Sequence, residues 1–184
     1  MQARIGETKL LFSQGDITDQ NVDVIVNAAN PSLMGGGGVD GAIHRKGGAK
    51  ILEDCKRIRV IKWPNGLPVS YVVLSTGGNL KARFVAHTVG PTWKGGNRDE
   101  ARLLADAYSN SLDLATTRGF ESIAFPSIST GAYGYPIEEA GTIALKSVRT
   151  FLMENASTLK LVAFVLFSQD DLRIYEEVAN EIFA

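Results

Sequence analysis

The sequence predicts an α/β fold, a three-layer α/β/α sandwich with a mixed central sheet, occupying residues 1–184 as one domain. Three observations predict it. Short apolar runs alternate with longer stretches of helical spacing along the chain. One run, DVIVNAA at 23–29, is almost continuously apolar, as in a strand buried on both faces. A chain of 184 residues that is 45% apolar and 21% charged can also bury a sizeable core.

TKLLFSQ (8–14) reads as the first strand and DVIVNAA as the second. Residues 39–58 have helical spacing, open to a break at Gly47-Gly48. SYVVLST (70–76) and RFVAHTV (83–89) read as strands joined by a turn at Gly77-Gly78-Asn79. Over 99–118, Leu103, Leu104, Ala107, Leu112 and Leu114 keep helical spacing, and Gly119 is placed to end that helix. SIAFPSI (122–128) is a strand, 137–155 a helix, LKLVAFVLF (159–167) a strand and 170–183 a closing helix. KWPNGLP (62–68) reads as a turn or exposed loop.

Nineteen basic against twenty acidic side chains leave a net charge of −1, which argues against a dedicated nucleic-acid surface. A compact anion held by backbone groups remains compatible with it. One cysteine, Cys55, excludes an intramolecular disulfide framework and any Cys-rich metal site. The two histidines, His44 and His87, are too far apart for a short-spaced metal motif. No apolar run approaches the roughly 18 residues of a membrane span, and no signal-peptide core opens the chain. The expectation is a reduced, cytoplasmic protein with no membrane contact, and a monomer.

In sheets of this kind, ligands sit outside the carboxyl ends of the strands. The unusual residues here fall there repeatedly: GDIT (15–18), NAANPSLMGGGG (27–38), SISTGAYGYP (127–136) and FSQDD (167–171). Gly36, Gly38 and Gly41 formally match G-x-G-x-x-G, but they follow the strand by some eight residues and RIRVIK (57–62) offers no acid for a ribose. A nicotinamide dehydrogenase is therefore a poor reading, and no Gly-Lys-Ser/Thr makes a Walker loop. Consecutive glycines ahead of a helix can instead aim backbone N–H groups at an anion. STGAYG (129–134) is a second such loop. Flexible surface turns are the plainer alternative for both.

Taken in order, GDIT, VDVIVNAAN, GGGGVDGAIHRKGG, HTVGP and SIAFPSISTGAYGYP resemble a macrodomain, specifically its MacroD-type branch. The resemblance runs from about Gly15 to Phe167. It implies a macrodomain-like α/β/α fold that binds ADP-ribose. It further implies a hydrolase that removes ADP-ribose from acidic side chains of modified proteins and deacetylates O-acetyl-ADP-ribose, with no cofactor and no metal. The branch pattern is lost over 57–74, a departure expected to alter the substrate rim rather than the nucleotide pocket.

The resemblance implies roles residue by residue. Asp16 and Ile17 N–H would serve the adenine edge, although Asp16 also suits a turn or N-cap. Phe167 would pack on adenine, where a strand phenylalanine alone reads as core. Gly36, Gly37, Gly38 and Val39, with Ser129, Thr130, Gly131 and Ala132, would hold the diphosphate, and Tyr133 would cover the distal ribose. Asn30 would contact that ribose, whereas Asn27 reads as structural. Asp40 and His44 are four residues apart on a predicted helix and share a face. Asp40 would orient or deprotonate a water and His44 would steady it, although an acid in a first helical turn is also favoured by the macrodipole. His87 reads as structural; Cys55, Trp63 and Trp93 are assigned nothing. Two further functions stay open: an ADP-ribose reader without turnover, and a phosphatase acting on ADP-ribose 1″-phosphate.

Overall fold

The structure is a computed structural model and describes residues 1–184. Seven strands form one sheet: β1 (Gln2–Ile5), β2 (Thr8–Gln14), β3 (Val24–Ala28), β4 (Val72–Thr76), β5 (Phe84–Thr88), β6 (Ser122–Phe125) and β7 (Leu161–Leu166). Their order is β1-β2-β7-β6-β3-β5-β4. The five central strands run parallel, and each edge strand is antiparallel to its neighbour, so the sheet is mixed.

Five helices cover it: α1 (Gly38–Gly47), α2 (Ala49–Ile61), α3 (Glu100–Thr117), α4 (Ile137–Glu154) and α5 (Gln169–Phe183). Strand alternation divides the apolar residues between two faces. Val24 and Val26 pack with Leu104, Ala144 and Tyr175 under α3, α4 and α5. Ile25 and Val85 pack with Ile43, Ile51 and Cys55 under α1 and α2. Burial on both faces explains why β3 reads as an unbroken apolar run.

The predicted strands and helices all form, the break left open at Gly47-Gly48 included, with an unpredicted edge strand and a longer second helix. β1 escapes prediction because its four residues alternate exposed and half-buried at the sheet edge, and only the turn at Gly6 (φ 57°) joins it to β2. The helix predicted over 39–58 is two helices, broken at Gly48, whose φ of 79° suits glycine. α2 then continues to Ile61, past the expected end.

The loop after α2 does not stand apart from the glycine run. Arg59 donates from Nε to Trp63 O (2.8 Å), from Nη1 to Ser32 O (2.7 Å) and from Nη2 to Pro64 O (3.0 Å). Leu67 N also donates to Pro31 O at 2.9 Å. The divergent stretch thus braces the base of the loop that leads into the glycines.

The sheet sets the site. After β3 the chain turns to α1 on one face, and after β6 it turns to α4 on the other. β3 and β6 are adjacent, so a crevice opens between their carboxyl ends, as it does wherever connections diverge in an open α/β sheet.

Candidate active site

A cavity of about 350 Å³ fills that crevice. It is lined by Asn30, Gly36–Asp40, Gly90 and Ser127 together with Ser129, Gly131, Ala132 and Tyr133. No Lys or Arg lines it. The first turn of α1 supplies N–H groups without intrahelical partners instead. A Cβ built on Gly37 or Gly38 meets nothing within 4 Å, so both face open space. At Gly36 a Cβ would sit 3.2 Å from Asp40 Oδ2 and 3.3 Å from Asn30 Nδ2, filling the gap between the two polar side chains. A larger open groove of about 790 Å³ runs between β4 and α3 past Tyr71, Arg102 and Asn110, and neither glycine loop borders it.

Asp40 is 6% exposed. Its nearest hydrogen-bond donor is Asn27 Nδ2, 2.8 Å from Oδ1. His44 Nε2 lies farther off, 3.4 Å from the same oxygen, and makes no hydrogen bond within the protein. The asparagines therefore divide the work in a way that sequence reasoning does not anticipate. Asn30 braces its own loop, donating to Gly35 O (3.0 Å) and accepting from Ser32 N (3.0 Å), while its side chain also faces the cavity. Asn27, read as structural, holds Asp40.

Behind Asp40 lies a buried polar cluster on the α1/α2 face. β3 and β5 pair Asn27 with His87, and Asn27 Nδ2 is 3.1 Å from His87 Nδ1. His87 Nε2 is 2.8 Å from Ser75 Oγ and 3.8 Å from Cys55 Sγ. Burial pushes the His87 pKa down to about 4, and burial pushes the Cys55 thiol up to about 12. Ligand atoms of His44, Cys55 and His87 lie within 4.8 Å of one another, near enough for a metal. Both ring nitrogens of His87 are already engaged, with Asn27 and Ser75, so the cluster has the bonding of a hydrogen-bonded core.

At the other end of the crevice, Asp16 caps a single 3₁₀ turn (Ile17–Asp19), accepting from Thr18 N at 2.9 Å. Its Oδ2 accepts from Lys46 Nζ of α1 at 2.7 Å. Those hydrogen bonds, Lys46 first and Thr18 next, hold its pKa down at about 2, so the group is an ionised acceptor at any physiological pH. Ile17 turns its side chain into the core. Phe167, just past β7 and bonded through its carbonyl to Gln14 Nε2, is 86% exposed. A core role for that ring is thereby ruled out.

The second glycine loop is pinned from three sides. Ser127 Oγ is 2.8 Å from the Tyr175 hydroxyl, Ile128 N donates to the Tyr108 hydroxyl (3.1 Å), and Trp93 N donates to Tyr133 O (2.8 Å). Thr130 Oγ1 donates back to Ser127 O. Ser129 adopts φ 68° with its hydroxyl buried and unpartnered, stacked against Gly90 of HTVGP. A Cβ on Gly90 would overlap Ser129 Oγ and come within 2.6 Å of Ile128 Cγ2. Gly90→Ala is therefore expected to push the loop out of place and weaken binding of an anion held by that loop at least tenfold by calorimetry, a loss of about one charged hydrogen bond.

Glu100 steadies the neighbouring segment. It accepts from the backbone N–H groups of Lys94 (2.9 Å), Gly96 (2.9 Å) and Arg98 (2.5 Å). Burial pushes its carboxyl up, but those donors outweigh it and hold the pKa near 2, below the usual 4.5. A lowered folded pKa stabilises above the unfolded value and is lost as pH falls through the folded one. Glu100→Gln should therefore melt earlier at pH 7, and the gap to wild type should close between about pH 4.5 and 2.

Comparison with known proteins agrees with this geometry. The family model for the Macro domain matches residues 26–144. An O-acetyl-ADP-ribose deacetylase of Klebsiella pneumoniae is 53% identical over 164 residues, covering 89% of this chain and 92% of the relative. The chain belongs to the Macro domain family. A macro domain-containing protein of Caldanaerobacter subterraneus is 52% identical over 174 residues, 95% of this chain and 97% of its own. A solved macrodomain of Oceanobacillus iheyensis, a mutant with ADPR, superposes with a TM-score of 0.95 at 45% identity, covering 99% of this chain and 97% of that one.

In this macrodomain the sheet gathers Asn30, Gly36, Gly37, Gly38, Val39, Asp40, Ser129, Gly131, Ala132 and Tyr133 around one cavity. His44 lies beneath Gly35, and Asp16 and Phe167 stand at the adjoining ends of β2 and β7. Gly90, Ser127 and Lys46, which the sequence reading left unassigned, also shape the site, as do Asn27 and His87, which it read as structural. For Gly90, the HTVGP motif was a usable signal; for Asn27 and His87, only strand register reveals the pairing.

Proposed function

We propose that this macrodomain binds ADP-ribose and hydrolyses its esters, deacetylating O-acetyl-ADP-ribose and releasing mono-ADP-ribose from acidic side chains of modified proteins. The single observation that carries the reading is Asp40, a buried carboxylate at the cavity wall between two glycine loops. The diphosphate lies across Gly36–Val39 and Ser129–Tyr133. Backbone N–H groups suit it there, since no basic side chain lines the cavity. Adenine stacks on exposed Phe167, with its amino group toward ionised Asp16. The distal ribose reaches Asn30 and Asp40 beneath Tyr133.

Asp40 orients a water and takes one of its protons as the water oxygen bonds to the ester carbonyl carbon. The carbon–oxygen bond to ribose then breaks, and that proton passes to the departing ribose oxygen. The products are a carboxylic acid and ADP-ribose, and no covalent nucleophile is needed. His44, 3.4 Å from Asp40, is placed to steady the carboxylate or the ribose.

The test pairs calorimetric titration of ADP-ribose with two release assays. One follows acetate from O-acetyl-ADP-ribose, and the other follows ADP-ribose from a protein modified on glutamate. Binding with release from either ester is expected. Binding without release would make the protein a reader, and no binding would overturn both readings.

A further inference from the structure

We infer that His87, buried behind the cavity, is a positioning residue that acts through Asn27 to hold the Asp40 carboxylate aimed at the substrate. The inference rests on the hydrolase reading for its kinetic consequences, but not for its structural ones.

The direction of every hydrogen bond in the chain can be worked out from its two ends. Ser75 Oγ donates to Thr76 O at 2.9 Å, which leaves its oxygen to accept from His87 Nε2 at 2.8 Å. His87 therefore carries its proton on Nε2, and its Nδ1 must accept. The donor there is Asn27 Nδ2, 3.1 Å away. The second hydrogen of the same amide goes to Asp40 Oδ1 at 2.8 Å. Both amide hydrogens are thus spent, and Asn27 Oδ1 is buried without a partner in the protein.

That orphaned oxygen argues for the direction rather than against it. Turning the amide over would set Oδ1 against the Asp40 carboxylate and the Nδ1 lone pair, two acceptors at once. Leaving one carbonyl oxygen unpaired costs about 1–3 kcal/mol, less than facing an acceptor to a buried carboxylate. The arrangement depends on a neutral histidine. A proton on Nδ1 would displace the Asn27 donor, and the amide would then lose its fixed orientation toward Asp40.

Other groups facing Asp40 do not supply this donor. His44 of the same helix sits at 3.4 Å and Cys55 of α2 holds a protonated thiol. Asp54 of α2 is a second acid and accepts from Thr76 N (2.8 Å), and Tyr133 of the second loop lines the same cavity as Asp40. Asn27 is the one side chain that donates to Asp40 within 3 Å.

The test compares wild type with His87→Phe, which fills the space without polar atoms, and His87→Gln, which can accept from Asn27 and donate to Ser75. In the free protein, nitrogen-detected NMR should find His87 as the Nε2–H tautomer between pH 5 and 9. The Asn27 side-chain amide, held by His87 Nδ1 and Asp40 Oδ1 in wild type, should show hydrogen-bonded N–H₂ signals that move toward those of a free amide in His87→Phe and return toward wild type in His87→Gln. With ester substrate, His87→Phe should lower kcat about tenfold or more and leave ADP-ribose affinity unchanged, and His87→Gln should recover most of that kcat. An Nδ1–H tautomer, or Asn27 side-chain amide signals identical in all three folded proteins, would overturn the inference. Should wild type show no turnover, the NMR results still decide it, so failure of the hydrolase reading is distinguishable. If His87→Phe does not fold, His87→Gln against wild type and the tautomer measurement carry the decision.

Discussion

Gly41→Ala is expected to lower the affinity for ADP-ribose about a hundredfold. Gly41 sits in the first turns of α1, fully inside the protein, and a Cβ there would collide with the carbonyl oxygen of Gly36 and press on Arg45 Nη1 at 3.0 Å. The obstacle is backbone, so no rotamer change relieves it. Gly36 would have to move, and with it the N–H groups that precede α1. Losing one hydrogen bond to a charged phosphate, at about 1.5–3 kcal/mol, corresponds to a roughly tenfold to hundredfold weaker complex. Overpacking costs about 1–3 kcal/mol of stability as well, so melting temperature should be measured beside the titration. A folded Gly41→Ala protein with wild-type affinity would show that the first glycine loop does not bear the diphosphate.

The second large effect is on chemistry rather than binding. Asp40→Asn keeps the shape of the side chain and can still accept from Asn27, but it cannot take a proton from water. Turnover of O-acetyl-ADP-ribose should fall about 10²–10⁴-fold, the usual contribution of a positioned base, with little change in ADP-ribose affinity. Parallel losses of affinity and turnover would mean that Asp40 serves only to shape the cavity. Full activity in Asp40→Asn would return it to the ordinary place of an acid in a first helical turn.

Much of the fold was legible because each central strand is a short β-branched or apolar run bounded by Gly, Pro, Asn or Asp, and each helix keeps its apolar spacing. The edge strand Gln2–Ile5 was not, because an edge exposes half of every residue and leaves no run to see. The glycine loops were legible from chemistry alone, since only glycine permits φ of 92° at Gly35 or 56° at Gly38 without strain. Asn27 and His87 were not. Each stands in an apolar strand and looks like a core substitution. What joins them is the β3–β5 register, which places them side by side, two rungs beyond Ile25 and Val85 and so on the same face. The Asp16–Lys46 pair was hidden for a similar reason: thirty residues separate the partners, and only the packing of α1 beside the 3₁₀ turn brings them together.

The most direct measurement is amide chemical-shift mapping of the nitrogen-labelled protein during titration with ADP-ribose. Large shifts are predicted at Gly36–Asp40 and Ser129–Tyr133, with a second group at Asp16, Ile17 and Phe167, all saturating together as one ligand spans the strand ends. Shifts concentrated instead along the groove between β4 and α3, at Tyr71, Arg102 and Asn110, would contradict the account.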